Sequence, residues 1–78
     1  MNKNRRKEIE SIIEELENLG SRIEAVKEEE DSAFDNMPES LQYSEKGELM
    51  EQNVEDLDEA FNSLSEVVEK LQEILTNN

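Results

Sequence analysis

Residues 28–51 read EEEDSAFDNMPESLQYSEKGELME, and this stretch decides the fold. It contains the only proline, the only tyrosine, one of the two glycines and one of the two phenylalanines. On either side lies a long run of helix-forming residues with apolar side chains three and four positions apart. Because Pro38 disfavours helical geometry at Met37, we expect the first helix to end near Asp35–Asn36. The stretch therefore predicts the elbow of a helical hairpin.

The elbow carries its own signals for where helices begin. Pro38 suits the first position of a short helical turn, residues 38–41. Ser44 is predicted to cap the second long helix, with Glu45 and Glu48 near its positive end. We therefore predict an all-α fold in which residues 1–78 form a single helical-hairpin domain. Helix 1 covers about 4–36, the elbow 37–44 and helix 2 about 45–76.

The first helix has the 3.5-residue repeat that is typical of a coiled-coil seam. We expect Asn2 or Asn4 to cap it. Glu30 takes one a-type position of the repeat, and Ile13 and Phe34 widen the apolar stripe on one flank, which indicates more than one neighbouring helix. The predicted seam residues are Ile9, Ile12, Leu16, Leu19, Ile23, Val26 and Ala33.

Two signals argue against an unbroken first helix. Gly20 costs about 1 kcal/mol relative to alanine in a helix interior. Ser21 and Glu24 fit the capping-box pattern that starts helices. The repeat nevertheless passes from Leu19 to Ile23 without a slip, so we favour a continuous helix, with a three-helix arrangement as the alternative.

The second helix has a cleaner repeat, which runs through Met50, Val54, Leu57, Phe61, Leu64, Val68, Leu71 and Leu75. A second apolar row precedes it by one position and consists of Ala60, Val67 and Ile74. If the two repeats align, facing residues have numbers that sum to about 84, and the predicted pairs are Ile9 with Leu75, Leu16 with Val68, and Ile23 with Phe61. The same geometry brings Arg5, Arg6 and Lys7 beside the negative end of helix 2.

Each helix carries an apolar row outside the predicted mutual seam. A lone hairpin would leave those rows exposed to water. We therefore predict a homodimer in which two hairpins form a four-helix bundle.

The charge of the chain is strongly negative and unevenly distributed. It has 22 acids against 8 bases, a net charge of −14. Residues 1–7 carry four of the bases and no acid, so the rest of the chain has a balance of −18 (22 acids, 4 bases). Such a body repels nucleic acid and anionic membranes and attracts basic protein surfaces. We expect a protein partner, no membrane contact and no direct binding of nucleic acid, even through residues 3–7.

The residue types present argue against catalysis. With no histidine and no cysteine, the usual nucleophile–base pairs, disulfides and most transition-metal sites are excluded. Paired carboxylates need a concave, partly dry pocket, which a narrow hairpin does not offer. We interpret the acidic runs at residues 28–31 and 55–59 as solvated helix faces, and residues 35–46 do not match a calcium loop. The prediction is no enzyme, no cofactor and no metal.

No apolar run approaches the roughly 20 residues that span a bilayer. The basic N-terminus is not followed by the apolar segment of a secretory signal. We therefore expect a cytoplasmic protein.

The density of acids suggests charge mimicry. Twenty-two acids along a helical rod of about 45 Å average roughly one per 2 Å, close to the one charge per ~1.7 Å of duplex DNA. The alternative is that the acids only maintain solubility. The candidate binding acids are Glu55, Asp56, Asp58, Glu59, Glu66 and Glu69.

The elbow also holds an apolar cluster, which consists of Phe34, Met37, Leu41, Tyr43 and Met50. These side chains are expected either to close the end of the bundle or to form a partner-binding knob, with Phe34 and Tyr43 as anchors.

The elbow sequence resembles that of a family of small acidic proteins from bacteriophages and prophages of Gram-positive bacteria. The resemblance lies in AFDNMPESLQ at residues 33–42 and in SEKGE at residues 44–48. In that family the elbow reads much like AFDNLPESLQ-x-SE-R/K-GE, so Met37 replaces a common leucine. The resemblance implies a bacterial cytoplasm and a phage-linked role, and it assigns no catalytic residue.

Two functions remain open from the sequence. The first is a non-enzymatic acidic protein-binding module that inhibits a host nucleic-acid-binding or defence protein by charge mimicry. The second is a structural or assembly adaptor whose bundle scaffolds a larger complex. Neutralising the acids of helix 2 would abolish binding in the first case and spare it in the second.

Overall fold

The computed structural model describes all 78 residues and consists of helices and short connections, without a strand. The helices are α1 (Lys3–Asp35), α2 (Glu39–Gln42) and α3 (Glu45–Asn77). The bounds of α1 and α3 lie within one residue of those predicted. The two long helices pack against each other as an antiparallel hairpin in a body of 59 × 15 × 13 Å. The predicted all-α hairpin is confirmed.

Side chains cap the N-termini of both long helices. The side-chain oxygen of Asn2 accepts a hydrogen bond from the backbone N–H of Arg5 at 2.9 Å. The hydroxyl of Ser44 accepts one from the N–H of Gly47 at 3.3 Å and donates to the carbonyl of Leu41. Of the two predicted caps for α1, Asn2 is therefore the one used, and the predicted Ser44 cap is confirmed.

The elbow is fixed by a single amide side chain. The Nε2 atom of Gln42 donates to the backbone carbonyls of Phe34 at 3.1 Å and Met37 at 3.2 Å. Phe34 lies in the last turn of α1 and Met37 follows that helix, so one side chain contacts both. Gln42 therefore ties α2 to the last turn of α1.

Helix α1 passes through Gly20 without a break, so the three-helix alternative was wrong. Gly20 is buried because α3 approaches it closely. A Cβ atom at this position would lie 3.3 Å from Leu64 Cδ2 and 3.5 Å from Phe61 Cε2. The glycine therefore serves close helix packing, and the capping-box pattern at Ser21 starts no helix.

The predicted register between the long helices is confirmed. Three contacts across the seam join residues whose numbers sum to 83, 84 or 85, and they are Asn53 with Glu30, Gly20 with Leu64, and Lys27 with Asp58. At the end of the hairpin opposite the elbow, called the open end, Arg6 Nη1 donates to the carbonyl of Leu75 at 3.1 Å. The basic first turn does meet the C-terminus of α3, through Arg6, whereas the side chains of Arg5 and Lys7 are exposed.

One half of the predicted α1 seam was wrong. The row Ile9, Leu16, Ile23 and Glu30 faces α3 as predicted, but Ile12, Leu19, Val26 and Ala33 are exposed. Their place is taken by the row one residue later, which consists of Ile13, Gly20, Lys27 and Phe34. The physical reason is the notch at Gly20, which admits Phe61 and Leu64. All eight predicted seam residues of α3 are at least partly buried.

The hairpin has very little core of its own. Only two apolar residues are buried, Ile13 at 8% exposure and Val68 at 9%. The chain exposes 5949 Å² in total. Two helices side by side can only half-bury a seam, which is why small helical hairpins usually need a further partner.

Candidate functional site

The two long helices meet along a seam that has two sides of opposite character. One side, the acidic side, has two shallow grooves between α1 and α3 that neither a lysine nor an arginine lines. The other, the apolar side, has a groove lined mainly by aliphatic residues near the middle of the hairpin. Near the middle of the hairpin, the seam therefore has a groove with carboxylate lips on one side and an aliphatic groove on the other.

The central groove of the acidic side has carboxylates on both lips. Glu17 and Glu24 of α1 lie on one lip, and Glu69 of α3 lies on the other. The floor between them is formed by Phe61 and Val68, together with small or aliphatic residues, namely Gly20, Ser21, Leu64 and Ser65. This arrangement places negative charge above an apolar strip.

The acidic side continues toward the elbow in a second groove. Phe34 and Val54 lie in it, and four acids surround them, Asp31 and Asp35 from α1 and Glu51 and Glu55 from α3. On α1, acids recur every seven residues at Glu10, Glu17, Glu24 and Asp31. Seven residues span about 10 Å of helix, so this row follows the groove along most of its length.

Lys27 is the base that approaches the acidic side. Its Nζ atom lies 2.9 Å from Asp58 Oδ1, and the contact is both a hydrogen bond and an ion pair. The hydrogen bond from Lys27 to Asp58, followed by the attraction between their charges, raises the pKa of Lys27 above its usual value. The pair joins the two helices and neutralises one of the six predicted binding acids.

Near the elbow the seam is closed by a polar pair. Asn53 Nδ2 donates to Glu30 Oε2 at 2.9 Å, and both residues are partly buried. Glu30 takes an a-type position of the α1 repeat, where an apolar residue is expected. The hydrogen bond ties it to one partner on α3. Beside this pair, Glu29 and Asp56 line a groove on the apolar side, with Val26 and Leu57.

The six predicted binding acids differ in their immediate surroundings. All six are exposed. Glu55 and Glu69 line the grooves of the acidic side, and Asp58 is paired with Lys27. Asp56 lies on the apolar side. Glu59 and Glu66, seven residues apart, line none of these grooves.

The two predicted anchors at the elbow also differ. Phe34 is partly buried in the acidic groove near the elbow. Tyr43 is 78% exposed, and Leu41 beside it is 49% exposed. Tyr43 is therefore available to a partner, whereas Phe34 belongs to the packing between α1 and α3.

Sequence reasoning missed Glu17 and Glu24 because it searched helix 2 alone for binding acids. The available signal was the seven-residue row of acids on α1, which lies beside the seam.

Nowhere in the molecule do three carboxylates converge closely enough to hold a metal ion. Neither long helix contains an apolar run sufficient to cross a lipid bilayer.

Comparisons with known protein families, curated proteins and solved structures find no match to this chain. The candidate functional surfaces are the two sides of the hairpin.

Proposed function

We propose that this protein is a non-enzymatic acidic module that binds a basic segment of another protein along its acidic side. The observation that carries the proposal is the central acidic groove, in which Glu17 and Glu24 face Glu69 across an apolar floor. Lysine and arginine side chains combine a charged head with an aliphatic stem. Such side chains place their heads on the carboxylate lips and their stems on Phe61 and Val68.

The partner class follows from the charge of the groove. Protein segments with many lysines and arginines are above all those that bind nucleic acid. A module of net charge −14 competes for the same residues, so it acts as an inhibitor by charge mimicry. The resemblance of the elbow to phage-encoded acidic proteins adds a setting, namely the cytoplasm of a bacterial host and a nucleic-acid-binding or defence protein as target.

The proposal is tested by affinity capture from a bacterial lysate on the immobilised full-length chain. We expect captured proteins to be basic, to be displaced by duplex DNA, and to elute as the salt concentration rises, because exposed charge contacts are screened within about 10 Å at 0.1 M salt. If the amount of captured protein stays the same when salt or duplex DNA is added, charge mimicry is contradicted.

A matched pair of variants tests the groove itself. The triple variant Glu17→Gln, Glu24→Gln, Glu69→Gln removes three charges from the central groove. We expect affinity for the captured partner to fall roughly 10-fold or more, as is typical of several lost charge contacts. The control removes three exposed acids that line no groove of the acidic side, Glu59→Gln, Glu66→Gln and Glu73→Gln, and should cost much less. Equal losses would show that total charge, not the groove, attracts the partner.

A second candidate function is an assembly adaptor, which the exposed elbow favours. Tyr43 and Leu41 present apolar surface at the tip of the hairpin, away from the acidic groove. For an adaptor of this kind, Tyr43→Ser abolishes capture and the triple groove variant leaves it intact. The opposite pattern supports the acidic module.

A further inference from the structure

The apolar side of the hairpin has no partner within the chain. On α1, Leu19 is 44% exposed and Val26 is 51% exposed, and both line a groove with Leu57 and Leu64 of α3. Ile12, seven residues before Leu19, continues the row toward the open end and is 36% exposed. These residues are the half of the predicted seam that α3 does not cover.

Helix α3 contributes a parallel row to the same side. The row lies three or four positions from the seam leucines of α3, so the two sets form one continuous stripe along the helix. The row consists of Ala60, Val67 and Ile74, and the seam leucines are Leu57, Leu64 and Leu71. Val67 is 50% exposed. Leu57 and Leu64 line the apolar groove, so helical geometry places this row beside that groove. Both extra apolar rows of the chain therefore lie on one side of the hairpin, and they form a single apolar face.

We propose that this apolar face binds a second copy of the chain, with the two hairpins reversed end for end so that their elbows lie at opposite ends of a four-helix bundle. Surface area supports a second copy as the occupant. A compact protein of 9.1 kDa exposes about 4,900 Å² by the usual scaling with mass. This hairpin exposes 5949 Å², an excess of about 1,000 Å², and a stable interface covers about 800 Å² per partner.

The charges at the edges of the face decide the orientation. The half near the elbow has Glu29, Glu30 and Asp56 around its groove and no base. If both elbows were at the same end, these two acidic clusters would face each other and repel. Reversal separates them. It also moves each cluster toward the open end of the other copy, where Arg5 continues the row of Ile12 and Leu19.

The reversal fixes which residues meet. Leu19 is the midpoint of the exposed row from Ile12 to Val26, and Val67 is the midpoint of the row from Ala60 to Ile74. A two-fold axis through the centre of the face therefore brings Leu19 near Leu19 of the second copy, and Val67 near its counterpart. With elbows together, Leu19 would instead face Val67.

Sedimentation equilibrium of the full chain tests the association. We expect about 18 kDa, twice the 9.1 kDa of one chain, at micromolar concentration. Leu19→Lys places two lysines together at the axis and should weaken the dimer roughly 100-fold or more, as a buried unpaired charge does. The matched control is Leu41→Lys, since Leu41 is similarly exposed at 49% but lies at the elbow. A wild-type monomer, or equal effects of the two variants, overturns the proposal.

Cysteine crosslinking tests the orientation, because the chain has no cysteine of its own. Leu19→Cys alone and Val67→Cys alone should each form a covalent dimer under mild oxidation. A dimer that forms only when the two variants are mixed means that the elbows lie together, and overturns the reversed arrangement.

Salt separates this proposal from the proposed function. An apolar interface between two chains of net charge −14 tightens as salt screens their repulsion, whereas binding of a basic partner weakens. A dimer that dissociates as salt is added contradicts the apolar interface without bearing on the acidic groove.

Discussion

Gly47 and Gly20 are both buried, but their neighbours differ in how easily they move. A Cβ atom on Gly47 would overlap the backbone carbonyl oxygens of Gln42 and Leu41, which are held in the elbow. A Cβ atom on Gly20 would meet the ends of the Leu64 and Phe61 side chains at 3.3 and 3.5 Å. Backbone cannot give way cheaply, whereas a partly exposed leucine can rotate. The two glycines should therefore respond oppositely to alanine.

We predict that Gly47→Ala destabilises the hairpin by about 2 kcal/mol or more, as overpacking against fixed atoms does. Gly20→Ala should be neutral or stabilising by up to about 1 kcal/mol, because alanine favours the helix and Leu64 can adjust. Urea denaturation followed by circular dichroism measures both. If Gly20→Ala proves the more damaging variant, the close approach of α3 at Gly20 is tighter than described.

Lys27 and Asp58 provide a prediction about pH. Because the pKa of Lys27 is raised in the folded chain by Asp58, the pair contributes stability that is fully present below the unfolded pKa of about 10.4 and is lost above it. The difference in unfolding free energy between wild type and Asp58→Asn should therefore be constant from neutral pH to about pH 10 and shrink at higher pH. Denaturation at a series of pH values measures it.

The control for this pH series is Glu73→Gln, which removes an exposed pair with Lys70 at 3.7 Å within one helix. Its effect should be small at every pH, as for most exposed pairs. A difference for Asp58→Asn that persists unchanged at high pH would mean that the charge of Lys27 does not hold the helices together.

At the scale of helices, the repeat predicted more than half of the packing. The bounds, the cap at Ser44 and the register followed from proline, capping residues and heptad spacing alone, whereas the cap of α1 was narrowed to Asn2 or Asn4. The choice between the rows of Ile12 and Ile13 did not, because both rows stand at helical distance from Ile9. That choice depends on the side chains of α3, because Phe61 and Leu64 pack into the space left by Gly20. A sequence pattern records which residues are apolar, not which of two neighbours each one meets.

The polar pair within the seam provides a prediction at this scale. Replacing both Glu30 and Asn53 with leucine should stabilise the hairpin by about 1–2 kcal/mol, because two partly buried positions become apolar. Either leucine alone leaves the other polar group facing an apolar neighbour. The two single variants together should therefore be less stable, by about 1 kcal/mol, than the effect of the double variant implies. A double-mutant cycle measures the coupling. Additive effects would show that the hydrogen bond at 2.9 Å contributes no specificity.

For the whole molecule, composition predicted negative charge but not how it is sorted. Of the candidate acids on helix 2, Glu55 and Glu69 line the grooves of the acidic side, whereas the groove acids Glu17 and Glu24 lie on α1. The sorting appears only when the two helices are paired, since each lip of the groove belongs to a different helix. The 22 acids along 59 Å amount to about one per 2.7 Å, sparser than the ~1.7 Å of duplex DNA. Pairing of two chains would double that density.

The chain reverses at Pro38, and this reversal creates an acidic and an apolar side from two helices. Spin labels on Asn18→Cys and Ser63→Cys, in one chain diluted with excess unlabelled protein, test it through the distance between them. Packed helix axes lie 8–10 Å apart, so we expect a label distance within about 25 Å. A distance near 68 Å, about 1.5 Å for each residue from 18 to 63 in one unbroken helix, would contradict it.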